Sequence, residues 1–281
     1  MMENGWISAH LFYTGDHNQL LRLLVAPVIE KLDCPYFFIR YWENGPHVRL
    51  RLKVARDRRH IMQYLATAAA DYFLRYPSPY SAAGGDAPHN NSLHYISYQP
   101  EISRYGDERS IHLAEQQFGI SSAYVLKQIT SPTWHTAKTL PEALKMNITL
   151  LYALSAPPLV TLTICRNFIT AWLPRLRDQG SAVQLMEQRF NEFGDALRTS
   201  ALSLWIELGR DGAGDDLIGF FHGTRQVFER YRAFGFSVQQ QGDITGSLLH
   251  MGHNRIGVSN YDEAFMMYLT EKCLEHIYAT T

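Results

Sequence analysis

Residues 36–54, YFFIRYWENGPHVRLRLKV, restrict the possible folds of this chain more than any other stretch. In the second half Val48, Leu50, Leu52 and Val54 alternate with His47, Arg49, Arg51 and Lys53. Apolar residues at every second position define a strand with one buried face, and here the other face is a stripe of basic groups. The first half is apolar almost throughout, with Phe37, Ile39 and Tyr41 on one side and Tyr36, Phe38, Arg40 and Trp42 on the other. Asn44-Gly45-Pro46 supplies turn chemistry between the runs, so an antiparallel hairpin is expected. Arg40 then projects among aromatic rings and must meet an anion or reach solvent.

Around the hairpin the pattern is α+β. Trp6–Tyr13 reads as a strand, and Asp16-His17-Asn18 caps a helix to about Leu32. Asp57 precedes a second helix to about Tyr76, Pro77–Ser92 is a long loop rich in Pro, Gly, Ser and Asn, and His94–Tyr98 reads as a further strand. The order β-α-β-β-α-β is that of a ferredoxin-like mixed sheet with helices on one face. From about Asp107 the spacing turns helical. Helices are expected over Ile111–Lys127, Leu140–Ser155, Leu159–Leu176, Ala182–Leu208, Asp215–Phe234 and Tyr261–Tyr278, with Gly180 ending one of them. The expectation is one domain over 1–281, sheet-rich to residue 106 and helix-rich from 107.

Charge and cysteine content exclude several function classes. Lys plus Arg total 26 against 27 Asp plus Glu, so no global basic excess draws the chain to nucleic acid. Cys34, Cys165 and Cys273 are odd in number and far apart, as in a protein with reduced thiols. The start MMENGWISAH lacks the basic and apolar regions of a signal peptide, and no apolar run approaches the ~18 residues of a membrane span. A cytoplasmic protein is expected.

Three places carry candidate chemistry. On the hairpin, Arg40, Arg49 and Arg51 are expected to line a partly buried pocket for carboxylates, held by paired N–H donors. In YQPEISRYG, Glu101, Arg104 and Tyr105 lie in a strand-to-helix connection, where substrate-positioning groups often sit. In GSLLHMGHNRIGV, His250, Asn254 and Arg255 fall near helical spacing. His250 and His253 have metal-like i, i+3 spacing, but no carboxylate or cysteine accompanies them in the sequence, so no metal is expected. GxGxxG, P-loop, GxSxG and HExxH motifs are absent, and no nucleophilic triad is visible.

FFIRYWENGPHVRLRL, then PEISRYG, AEQQF and a late LLHMGHNRIGV, in that order, resemble the C-terminal glutamate-elimination domain of class I lantibiotic dehydratases and its stand-alone relatives in thiopeptide pathways. The resemblance runs from Trp6 to the last helix, and one departure is Asp107, where many relatives continue RYG with a second glycine. It implies an enzyme that modifies a ribosomal precursor peptide, leader and core. A separate tRNA-dependent glutamylation enzyme would esterify Ser or Thr, and this domain would eliminate glutamate to leave dehydroalanine or dehydrobutyrine.

Carried over by motif, the resemblance puts catalytic roles on Arg40, Arg104 and His250; His47, Arg49, Arg51, Glu101, Tyr105, Asn254 and Arg255 are further expected to position substrate. No cofactor is implied, and no direct contact with nucleic acid. The same family includes pyridine synthases, which join two dehydroalanines in a formal [4+2] cycloaddition and expel the leader. A third reading is a non-catalytic module that binds a leader peptide or partner through its sheet edge. Two arginines and a histidine suit elimination best, because negative charge develops on both the enolate-like carbonyl and the leaving carboxylate.

Overall fold

In a computed structural model of the protein, residues 5–79, 88–175 and 179–281 are described. Residues 80–87 of the long loop, and Leu176 at the expected end of one helix, fall outside them. The chain divides into a sheet unit, residues 1–100 and 121–135, and a helical unit, residues 101–120 and 136–281.

In the sheet unit β1 (Trp6–Phe12), β2 (Tyr36–Tyr41), β3 (His47–Lys53) and β4 (Ser92–Tyr95) form one sheet in the order β2-β3-β1-β4. Every neighbouring pair is antiparallel, so the sheet is not mixed. The register sets Ile7, Ala9 and Leu11 opposite Leu52, Leu50 and Val48, a wholly buried apolar face. The hairpin continues it, with Phe38 opposite Leu50 and Arg40 opposite Val48.

The first helical stretch comprises α1 (His17–Leu20), a π-turn (Leu21–Val25) and α2 (Ala26–Leu32). Asp16 caps it through the Asn18 N–H, at 2.8 Å. Pro27 lacks the N–H that would reach back four residues, and the π-turn accommodates this gap. A long helix, α3 (Arg58–Arg75), precedes the loop. β4 lies earlier than the expected His94–Tyr98, because its partners on β1 run only from Phe12 to Ala9. Tyr98 instead sets its ring edge-on to Trp6 and Phe37. The outer edge of β2 is partly closed by Ser122, whose Oγ accepts the Phe38 N–H at 3.1 Å.

The next helix, α4 (Ile111–Thr130), supplies its first half to the helical unit. That unit is built around α5 (Thr139–Leu154), buried on most of its circumference. Against α5 pack α7 (Gln179–Gly209), α8 (Asp215–Ala233), α9 (Val238–Ile256) and α10 (Glu263–Thr280), while α6 (Pro158–Trp172) packs on α9 and α10. Gly180 ends no helix; it lies in the first turn of α7. The sequence reading marked helical spacing only from Gly246, whereas α9 begins eight residues earlier. Its start is a capping box in which Ser237 Oγ accepts the Gln240 N–H and the Gln240 side chain returns to the Ser237 N–H.

Candidate active site

Within the helical unit, α6 and α9 flank a cavity of about 280 Å³. Gly242, Gly246, Ser247 and His250 recur at three- and four-residue spacing along one face of α9, and Ile164, Phe168 and Trp172 do the same on α6. A Cβ at Gly246 would meet nothing within 4 Å, so this position opens on free space. Arg104, from the short helical turn Ile102–Arg104, completes the wall. Its Nε donates to Ser247 Oγ at 3.0 Å and its Nη1 to Glu101 Oε2 at 2.9 Å. Burial works against its charge, but Tyr105, Glu101 and Glu263 together hold Arg104 above its ordinary range. Gly106 follows at φ +123°, where a Cβ would overlap Ser110 Oγ and the Phe236 ring. Asp107 accepts the Arg109 and Ser110 N–H groups at 2.9 Å each and so builds the turn into α4.

His250 shares the cavity with Arg104, and its Nδ1 lies 3.0 and 2.9 Å from the two carboxylate oxygens of Glu263. Glu263 stands in the first turn of α10, where the helix dipole favours a carboxylate. It is fully buried. Burial alone would raise it, yet hydrogen bonds from His250 and His253 hold it below the usual carboxylate range. The carboxylate fixes Nδ1 of His250 as a donor and leaves Nε2 as the nitrogen Glu263 does not engage. Trp172 lies against the imidazole, ring centroids 4.9 Å apart. His253, also buried, reaches Glu263 Oε2 with Nδ1 at 3.3 Å and Asn147 Oδ1 with Nε2 at 3.1 Å.

A carboxylate therefore does accompany the two histidines, brought from ten and thirteen residues away in sequence. Among the described residues no group of three His, Cys, Asp or Glu side chains is arranged to hold a metal.

In the sheet unit, one face of the four strands is basic and carries no acidic residue. His47 donates from Nδ1 to the Gly45 carbonyl at 2.7 Å and accepts from Arg49 Nε at 3.1 Å. The Arg49 guanidinium stacks 3.4 Å over the Tyr41 ring. Arg51 is buried, with Nη2 3.4 Å from His10 Nε2, and its Nε and Nη1 lack a hydrogen-bond partner among the described residues. Burial, then the Arg49 charge, lowers Arg51 to about 10, with Tyr98 opposing. Burial and the charges of Arg51 and Arg49 bring His10 to about 3. Burial, opposed by the bond to Gly45 and aided by the Arg49 charge, brings His47 to about 4. Arg51 Nε and Nη1 on this face are donors that could serve an anion.

Five expected site residues line neither the cavity nor this face. Arg40 does not join Arg49 and Arg51: its partner across the hairpin is Val48, which places it on the opposite face. There Nη2 donates to Asn18 Oδ1 at 2.7 Å, and burial, opposed by the Asp16 charge, brings the group to about 10. Tyr105 is a core residue, edge-on to Phe118, with its carbonyl accepting from Tyr231 OH at 2.9 Å. Burial raises its phenol to about 12. Asn254 and Arg255 are buried on α9 outside the cavity wall, Arg255 lying 5.0 Å over the Phe118 ring. Glu101 is exposed and pairs with Arg104 at 2.9 Å. The sequence reading missed Glu263, Asn147 and Trp172 and left His253 without a role. No local pattern marks the first three, since their partners are distant in the chain.

The sequence matches the family described as lantibiotic biosynthesis dehydratase, C-terminal, over residues 6–274. The chain belongs to the lantibiotic dehydratase C-terminal family. Membership places it among the domains of biosynthetic enzymes that modify ribosomally made peptides. Its fold is similar to that of TbtD, a pyridine synthase from thiomuracin biosynthesis, with a TM-score of 0.79 and 17% identity over 99% of this chain and 100% of TbtD. It is also similar to MibB, a tRNA-dependent lantibiotic dehydratase from Microbispora sp. 107891, with a TM-score of 0.70 and 17% identity. There the match covers 100% of this chain but 29% of MibB. TsrL gives a TM-score of 0.70 at 15% identity, over 98% of this chain and 95% of TsrL. No curated protein matches the sequence. Among the described residues no helix is long and apolar enough to cross a membrane.

Proposed function

We propose that this domain eliminates glutamate from glutamylated Ser or Thr of a ribosomal precursor peptide, leaving dehydroalanine or dehydrobutyrine. The observation that carries this reading is the meeting of Arg104 and His250 in one cavity, with Glu263 holding the imidazole by Nδ1. In the reaction a base takes the α-proton of the acylated residue, the electron pair forms the Cα–Cβ double bond, and the ester oxygen leaves with glutamate as a carboxylate. His250 Nε2 is the proton acceptor. Arg104, kept charged by Glu101 and Glu263, stabilises the negative charge that develops beside it. In the sheet unit Arg49 and Arg51 offer guanidinium N–H groups to a carboxylate of the substrate. Arg40, bonded to Asn18, is assigned to anchoring α1. The glutamyl group would come from a separate tRNA-dependent enzyme.

A pyridine synthase is the alternative, favoured by the match over the full length of TbtD. Cycloaddition of two dehydroalanines has no glutamate to hold, and an acid-free basic face supports elimination over it.

The test is mass spectrometry of a peptide carrying a synthetic glutamyl-Ser ester, incubated with the purified protein alone. Loss of glutamate with formation of dehydroalanine is expected, abolished in Arg104→Ala and in His250→Ala. Survival of the ester with the wild-type protein sinks the proposal, and conversion of a bis-dehydroalanine peptide to a pyridine macrocycle would put the protein in the other class.

A further inference from the structure

We infer, on the reading of His250 as the proton-transfer group, that His253 is a positioning residue: a buried imidazolium that neutralises Glu263 and so keeps His250 an uncharged base. The hydrogen-bond network assigns the protons. Asn147 Nδ2 lies 3.0 Å from Thr270 Oγ1 and 3.6 Å from Met267 Sδ. A thioether accepts only, and the Thr270 hydroxyl is already donating to the Met266 carbonyl at 2.8 Å. The amide NH₂ of Asn147 therefore belongs on that side, and its oxygen faces His253 Nε2 at 3.1 Å. An amide oxygen only accepts, so Nε2 of His253 carries a hydrogen.

The other nitrogen of His253 stands 3.3 Å from Glu263 Oε2. A bare Nδ1 there would set a lone pair against a carboxylate lone pair, so this nitrogen carries a hydrogen as well. With both nitrogens protonated, His253 is a cation paired to a buried anion.

His250 is placed differently. Glu263 accepts from its Nδ1, and among the described residues its Nε2 has no hydrogen-bond acceptor like the Asn147 oxygen that faces Nε2 of His253. A second imidazolium on the same carboxylate would leave the buried Glu263 and His253 and the part-buried His250 with a net positive charge beside Arg104. The single proton that Glu263 balances sits where both nitrogens have acceptors, on His253. Among the described residues the charged groups around this set are Arg104 and its partner Glu101 from the 101–106 segment, His250, His253 and the exposed Asp243 from α9, and Glu263 from α10; α5 presents Asn147, and α6 the Phe168 and Trp172 rings. His253 thus sets the protonation state of His250 without reaching the cavity.

The experiment is long-range ¹H–¹⁵N spectroscopy of the protein labelled with ¹⁵N-histidine at pH 7, with signals assigned through His250→Gln and His253→Gln. Two protonated nitrogens are expected for His253, and one protonated with one bare nitrogen for His250. In His253→Gln, Glu263 loses its cation, and the bare-nitrogen signal of His250 moves to the protonated position at the same pH. A bare nitrogen on His253 in the wild-type protein overturns the inference, as does an unmoved His250 signal in His253→Gln. If His253→Gln does not fold, the His253 ring is assigned among the twelve histidines of the wild-type protein through its contact with the Phe168 ring, and the wild-type spectrum still decides. Neither readout needs turnover, so failure of the elimination reading leaves the result distinct. Where elimination is measurable, His253→Gln is expected to lower kcat at pH 7 by about tenfold or more, recovering as pH rises, with KM for the peptide unchanged.

Discussion

Replacing Arg51 by Met should make the protein more stable and less able to hold an anion. Arg51 is only 5% exposed, and two of its three guanidinium nitrogens have no hydrogen-bond partner among the described residues. Its fall from 12.5 to about 10 is driven first by burial and then by Arg49. A fall of that size disfavours the charged form by about 3 kcal/mol. The folded value lies below the unfolded one, so at neutral pH, where both states are charged, the folded state bears the cost; it is relieved only as pH rises through about 10. Met keeps most of the side-chain length and carries no charge. Replacing an imperfectly satisfied buried charge by a packed apolar residue typically gains about 1–4 kcal/mol, or a Tm rise of about 2–4 °C per kcal/mol in a chain approaching this size. Urea and thermal unfolding followed by circular dichroism measure it, with Arg51→Ala as a control that also leaves a cavity. If Arg51→Met is less stable than wild type by about 1 kcal/mol or more, the guanidinium is satisfied in the fold and the anion-receptor reasoning fails. A charge retained at a loss of stability is what function, rather than folding, would maintain.

Three further outcomes follow from the same geometry. Glu263→Gln retains the shape but removes the charge that fixes Nδ1 of His250 as donor, so kcat for elimination should drop about 10²–10⁴-fold with peptide binding preserved; equal loss of binding would place Glu263 in the fold only. Gly106→Ala forces a Cβ into Ser110 Oγ and the Phe236 ring at a φ of +123°, and should cost about 2–4 kcal/mol in urea unfolding; a neutral effect would show that the RYG turn relaxes freely. His10 and His47 hold folded values of about 3 and about 4 against 6.5 unfolded, so the unfolded chain takes up protons first as pH falls. Stability should therefore decline from about pH 6.5 towards 4, visible as a lower urea midpoint at pH 5 than at pH 7, and less so in His10→Phe.

Local chemistry was legible in the sequence by itself. The period-2 alternation of residues 47–54 and the Asn44-Gly45-Pro46 turn give β2 and β3 because each depends only on neighbours along the chain. The same holds for the α+β order and for most helix ends, such as the Ser155-Ala156-Pro157-Pro158 break between α5 and α6. Arg104 and His250 stood out as polar residues in apolar or glycine-bearing motifs, and they do meet in one cavity.

What only the tertiary structure decided is which groups face one another. Arg40 was grouped with Arg49 and Arg51 by composition, but the hairpin register pairs it with Val48, and a one-residue difference in pairing sends a side chain to the other face of a sheet. The supports of His250 come from Glu263 at the start of α10 and, through His253, from Asn147 on α5, more than a hundred residues earlier. A buried carboxylate and amide leave no periodic trace; their positions are fixed by the packing of α5, α9 and α10, and that packing turns an isolated histidine into a held and charge-balanced one.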